Sequence, residues 1–120
     1  MKTLTLSLKK KWFDKIKSGE KLEEYREIKP FWEKRLLDYK AIKADAKALE
    51  LKRYVFNIPY DVCKDYPRGY DRLVFTLGYP KADDTEHRLV FKNPKIRIGT
   101  GKPEWGAEPG KLYFVITWEE

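Results

Sequence analysis

Leu4, Leu6 and Leu8 alternate with Thr5 and Ser7, the period-two pattern of a strand with one buried face. The period then changes. Trp12, Phe13 and Ile16 stand at i, i+1 and i+4, while Lys10, Lys11, Lys15 and Lys17 point mostly elsewhere, which predicts a short helix over residues 10–18. Ser18-Gly19 stops it, with Gly19 suited to the left-handed cap position. Residues 20–26 are charged but strand-compatible. On a strand, Leu22, Glu24 and Arg26 share one face, and Lys21, Glu23 and Tyr25 share the other. Pro30 suits the first turn of a helix over 30–38, where Trp32 and Leu36 are four apart. Ala41, Ile42, Ala46, Leu49 and Leu51 predict a further helix over 39–53. Residues 57–71, with Pro59, Pro67 and Gly69, read as a connection.

The remainder has a β pattern. A strand runs from Arg72 to Tyr79, ended by Gly78 and Pro80, and Lys81 to Thr85 form a turn. His87 to Phe91 and Lys95 to Ile98 read as two strand segments, bent apart by Asn93-Pro94. A Gly/Pro-rich loop over 99–110 leads to a closing strand, Leu112 to Trp118. The expected architecture is one α+β domain over residues 1–120, a small mixed β-barrel with short helices packed near the N-terminal strands.

Charge adds a direction to this picture. Residues 1–60 carry 16 Lys and Arg against 9 Asp and Glu, and residues 61–120 carry 10 of each, so the whole net charge of +7 lies in the first half. Such a field favours a nucleic-acid or nucleotide partner, the plainer alternative being a lysine-rich surface that serves solubility. Cys63 is alone, so no internal disulfide forms, and one Cys with one His (His87) cannot build a zinc cluster. No metal and no cofactor is implied. Met1-Lys2-Thr3-Leu4 lacks the apolar run of a signal peptide, and no segment approaches the ~20 apolar residues of a bilayer span. The expectation is a cytoplasmic protein without a membrane partner, with a monomer favoured.

The chemistry concentrates at Gly19-Glu20-Lys21-Leu22-Glu23-Glu24-Tyr25-Arg26, which fits G-x-K-x-x-E-x-R. Arg26 offers a planar fork of donors for phosphate or a base edge. Lys21 is a point charge that holds phosphate or, once desolvated, acts as base or nucleophile. Glu24 accepts from an amine or hydroxyl, or carries a proton. The bland alternative is a surface pair of Glu24 with Arg26, contributing about 0–1 kcal/mol. By average residue usage the four-position match arises in roughly one chain in several hundred, which favours a built site over that pair.

The motif, with the Leu-Ser-Leu-Lys strand before it and Phe75-Thr76-Leu77-Gly78-Tyr79, Glu104-Trp105-Gly106 and Tyr113-Phe114-Val115-Ile116 after it, resembles the ASCH family, of small single-domain type. That family is a branch of the PUA-like barrels that handle RNA and modified nucleotides. The resemblance covers about two thirds of the chain, with residues 39–70 the least familiar. It implies a PUA-like barrel with a cleft beside its short helices, lined by Gly19, Lys21, Glu24 and Arg26. It also implies RNA or a modified nucleoside as ligand. Some members are amidohydrolases acting on acetylated cytidine through the motif lysine, a threonine at the position of Glu24 and a distant glutamate. Lys21 matches that lysine; Glu24 does not match the threonine. Other members are ribonucleases. A hydrolase using Lys21 and Glu24 is thus the alternative to a binding protein, and a protein-interaction module the third reading.

Other residues enter around the motif. Trp105 either stacks a base or plugs one end of the barrel, and Tyr79 is a weaker stacking candidate. Lys9, with Lys10 and Lys11, either steers phosphate or forms a solvated face. Helical spacing sends Trp12 and Phe13 to the core. Gly99-Thr100-Gly101-Lys102 lacks the spacing of a phosphate loop and reads as a plain loop. His87 reads as a strand residue without a special role.

Overall fold

The computed structural model describes residues 2–38 and 67–120. The helix expected over 39–53 and most of the connection over 57–71 lie outside the described residues. The described elements are β1 (Thr3–Leu8), α1 (Lys10–Lys17), β2 (Glu24–Glu27), α2 (Pro30–Leu36), β3 (Arg72–Leu77), β4 (Arg88–Thr100), a 3-10 turn (Pro103–Trp105) and β5 (Leu112–Glu119). They make a small α+β domain with one five-stranded sheet in the order β1-β3-β4-β5-β2. β1 runs parallel to β3, and the other pairs are antiparallel.

Leu4, Leu6 and Leu8 face the core as the alternation requires, meeting Phe13 and Ile16 of α1 and Leu36 of α2. Leu73, Phe75, Ile96, Ile98, Phe114 and Ile116 share this core, Leu73 and Phe75 as the register partners of Leu4 and Leu6. β3 and β5 are interior strands buried on both faces over Leu73–Thr76 and Tyr113–Ile116, which explains why their residues do not alternate apolar with polar. A smaller apolar cluster of Ala107, Tyr113 and Val115, with Tyr25 against it, forms on the other side of β5.

The expected barrel does not close. β1 and β2 are the two edges of an open sheet, and no backbone ladder joins them. β2 has only four residues, and side chains bridge the gap instead. Arg26 Nη2 donates to Ser7 O at 3.1 Å, and Arg35 Nη2 of α2 donates to Thr5 O at 3.1 Å. Carbonyls two apart on one strand edge are thereby satisfied by guanidinium groups, which also blocks that edge to a foreign strand.

Two local boundaries also differ from expectation. The segments around Asn93-Pro94 are one strand with a register shift between Lys92 and Lys95, not two. Asn93 takes a left-handed φ of 48° and donates its backbone N–H to Asp71 O, so the bend is absorbed without ending the strand. His87 precedes β4 in a turn, where its Nδ1 lies 2.6 Å from Asp84 Oδ2, rather than on a strand. Among the described residues no helix is long and apolar enough to cross a membrane.

Candidate functional site

Lys21 reaches the interior because the chain doubles back at the end of α1. Basic residues Lys15 and Lys17 occupy the last turn, where they oppose the negative end of the helix dipole. Gly19 then adopts φ 83°, open to glycine without strain. Its N–H bonds Ile16 O, and the Lys21 N–H bonds Lys15 O at 3.0 Å, pinning Lys21 to the helix end. β2 begins only at Glu24, later than the strand expected over 20–26. Lys21 therefore escapes the period-two alternation that would turn it away from Glu24 and Arg26. Glu23 and Tyr25 obey it: Tyr25 Oη donates to Glu23 Oε1 at 2.8 Å and accepts the Lys102 N–H at 2.9 Å.

Glu24 is the hub of the buried charges. Lys21 Nζ donates to its Oε1 at 2.7 Å, and Arg26 Nη2 donates to its Oε2 at 2.9 Å. The Tyr25 N–H adds a third bond, to Oε1, at 3.2 Å. Lys21 is only 1% exposed and Glu24 6%, so this is not the solvated surface pair of the bland reading. With two lone pairs per oxygen, Oε1 is saturated and Oε2 retains one acceptor position. Arg26 Nε is buried without a hydrogen-bond partner among the described residues. Burial pushes the Lys21 ammonium below its ordinary value, against the opposing pull of the Glu24 carboxylate. Arg26 is lowered for the same reason, its desolvation likewise countered by Glu24. Burial pushes the Tyr25 phenol up to about 12.

These three side chains line a cleft of ≈ 570 Å³. Trp12 forms one wall, its ring 4.4 Å from Lys21 Nζ, and Gly106 packs so closely on it that a Cβ there would meet Trp12 at 2.9 Å. Trp105 is half-buried at the rim, with Lys102 Nζ 4.5 Å over its ring. Lys9 and Lys111 add cations, and Glu27 and Glu108 add carboxylates, so cations exceed carboxylates by four to three. The result is a mildly positive, aromatic-walled cavity with a charged floor, suited to a planar polar ligand bearing partial or full negative charge.

Of the residues expected at the site, Lys9, Lys21, Glu24, Arg26 and Trp105 meet in this cleft. Gly19 does not line it; its role is to turn the chain toward it. Tyr79 is 97% exposed and belongs to a neighbouring groove that shares Ser7 and Arg26. Trp12 corrects the expectation of a core residue. Phe13 is buried, whereas Trp12 is half-buried and faces Lys21. The aromatic at i beside buried positions i+1 and i+4 lay at the flank of the apolar stripe, and that was the available signal. Trp105 lines the cleft, and with the sheet open there is no barrel end for it to plug. Lys111 and Tyr113, also in the lining, carried no sequence signal beyond their type. Gly101 is explained by packing: a Cβ there would stand 2.6 Å from the Tyr25 ring and 2.7 Å from Ala107. In comparisons with known proteins, no family model, no curated protein and no solved structure matches this chain.

Proposed function

We propose that the cleft binds RNA or a modified nucleoside, in the manner of the ASCH proteins that the motif resembles. The observation that carries this reading is the convergence of Lys21, Glu24 and Arg26 on the floor of a cleft walled by Trp12 and Trp105. An aromatic ring beside a fixed donor and acceptor set is what a base edge and face require. The free position on Glu24 Oε2 accepts from an exocyclic amine or hydroxyl, Arg26 supplies donors, and the surplus cation favours phosphate. Equilibrium binding of a short single-stranded RNA over a salt series tests it. Arg26→Ala and Lys21→Ala, verified as folded, weaken binding and flatten its salt dependence if the reading holds. Unchanged affinity and slope refute it.

A second reading, hydrolysis of RNA or of an acylated nucleobase, has one observation in its favour. Lys21 is desolvated and held 2.7 Å from a carboxylate, so a proton shared between them is available to a reacting group. Mass spectrometry of the same RNA, carrying one acetylated cytidine, separates the two. Loss of the acetyl group or chain cleavage that Lys21→Ala abolishes establishes the hydrolase; retention with unchanged mass leaves the binding protein.

A further inference from the structure

Beyond Arg26 lies a second groove, of ≈ 620 Å³, on the α2 side of the sheet gap. Its chemistry differs from that of the motif cleft. Arg26, Arg35 and Arg88 line it, and no carboxylate does among the described residues. Aromatic rings interleave with the arginines: Arg26 lies 4.9 Å from the Trp32 ring, and Arg35 lies 5.6 Å from Trp32 and 5.9 Å from Phe31. Phe31 and Trp32 meet edge to face at 4.9 Å. Phe31 is 61% exposed and Tyr79 97%, and neither contributes to the core clusters. Large rings left in water beside guanidinium groups form a platform for stacking bases and a track for the phosphates between them. Arg26 and Ser7 line both cavities, so the two are neighbours at the gap between β1 and β2, with Arg26 between them.

Resting on the nucleic-acid reading of the motif cleft, we infer that the protein takes a single-stranded RNA and not a free nucleoside. One nucleotide occupies the motif cleft. A flanking nucleotide stacks on Phe31 and Tyr79 in the arginine groove, and Arg26 sits at the phosphate between them. Arg88 is an anchor of the groove wall and does not serve as a contact, because its guanidinium donates to Pro80 O, Lys81 O and Asp84 O.

The test compares N4-acetylcytidine 5′-monophosphate with a hexacytidylate carrying one such base, and uses hexaglutamate as a competitor with charge but no bases. The variants are Phe31→Ala, Tyr79→Ala and Trp105→Ala, all at surface or rim positions. The expected result is that Phe31→Ala and Tyr79→Ala each weaken the hexanucleotide about tenfold and leave the mononucleotide unchanged. The hexanucleotide also shows the steeper salt dependence, by ~0.7 in log–log slope for each added phosphate contact. Trp105→Ala weakens both ligands. Unchanged hexanucleotide affinity in Phe31→Ala and Tyr79→Ala overturns the groove while leaving the motif cleft intact. Equal displacement by hexaglutamate overturns it in favour of an acidic peptide. Failure of both ligands to bind overturns both readings together.

Discussion

Arg26 of β2 donates one guanidinium nitrogen both to the Glu24 carboxylate, at 2.9 Å, and to the Ser7 carbonyl on the opposite edge of the sheet, at 3.1 Å. One side chain thus ties the charged floor of the cleft to the gap between β1 and β2. The floor and the fold are therefore coupled energetically, and substitutions in the motif act on stability as well as on binding.

Lys21→Met is expected to cost about 3 kcal/mol of stability, because removing one partner leaves Glu24 buried with only Arg26 beside it. Glu24→Gln is expected to cost more, toward about 5 kcal/mol, since two buried cations then face each other uncompensated. Urea unfolding at neutral pH measures both. A loss below about 1 kcal/mol for Lys21→Met, the range of an exposed pair, contradicts the buried floor.

The same triad shows what was legible in the sequence and what was not. The alternation of Leu4, Leu6 and Leu8, the Gly19 turn and the helix start at Pro30 all act over one or two turns of chain, and their elements formed where expected. Lys21 joins Glu24 from a backbone held by Lys15 O after the Gly19 turn, whereas a regular strand over 20–26 would have turned the two apart. Sheet closure depends on whether the β1 and β2 edges meet, a long-range matter that their own patterns do not contain. Trp12 was misplaced because helical periodicity marks the buried stripe but not which flank borders a cavity. The motif was thus readable as a place; of its two tryptophan walls, Trp105 was legible and Trp12 was not.

The Lys21 amine titrates below the ordinary lysine range, and Glu24→Gln lowers it further by removing the carboxylate that raises it. Carbon-13 NMR of labelled lysine side chains reads this directly. A Lys21 signal that titrates with the surface lysines contradicts the desolvation on which the hydrolytic reading depends.

Tyr25 sets an alkaline limit. Its phenol is raised from 10.0 to about 12 in the folded chain, so between those values the unfolded state has released a proton that the folded state still holds. The folded state then binds more protons, and stability falls as pH rises through that window. Its contribution is fully present below pH 10. Tyr25→Phe loses the bonds to Glu23 and Lys102 at every pH, but the stability gap to wild type narrows above about pH 10. A gap that stays constant from pH 9 to pH 11.5 contradicts the burial of the phenol.

Gly101→Ala inserts a methyl group against the Tyr25 ring and Ala107 at separations below 3 Å, which forces one of them to move. The expected cost is about 1–3 kcal/mol, as for other overpacked sites. Gly69→Ala, with nothing within 4 Å of its added Cβ among the described residues, is the matched control and stays near wild type. Thermal or urea unfolding of both variants checks this pair.

The four tryptophans of the chain stand in different surroundings and report separately on the cleft, the groove and the core. Trp12 and Trp105 wall the motif cleft, Trp32 lines the arginine groove, and Trp118 packs against Phe75 and Phe91, away from both cavities. The measurement is a titration of nitrogen-15-labelled protein with the single-stranded hexanucleotide, following the indole N–H signals. Trp12, Trp105 and Trp32 are expected to shift together with one saturation curve while Trp118 stays in place. Indole signals that remain still at saturating RNA, or a Trp118 shift equal to that of Trp12, would contradict it.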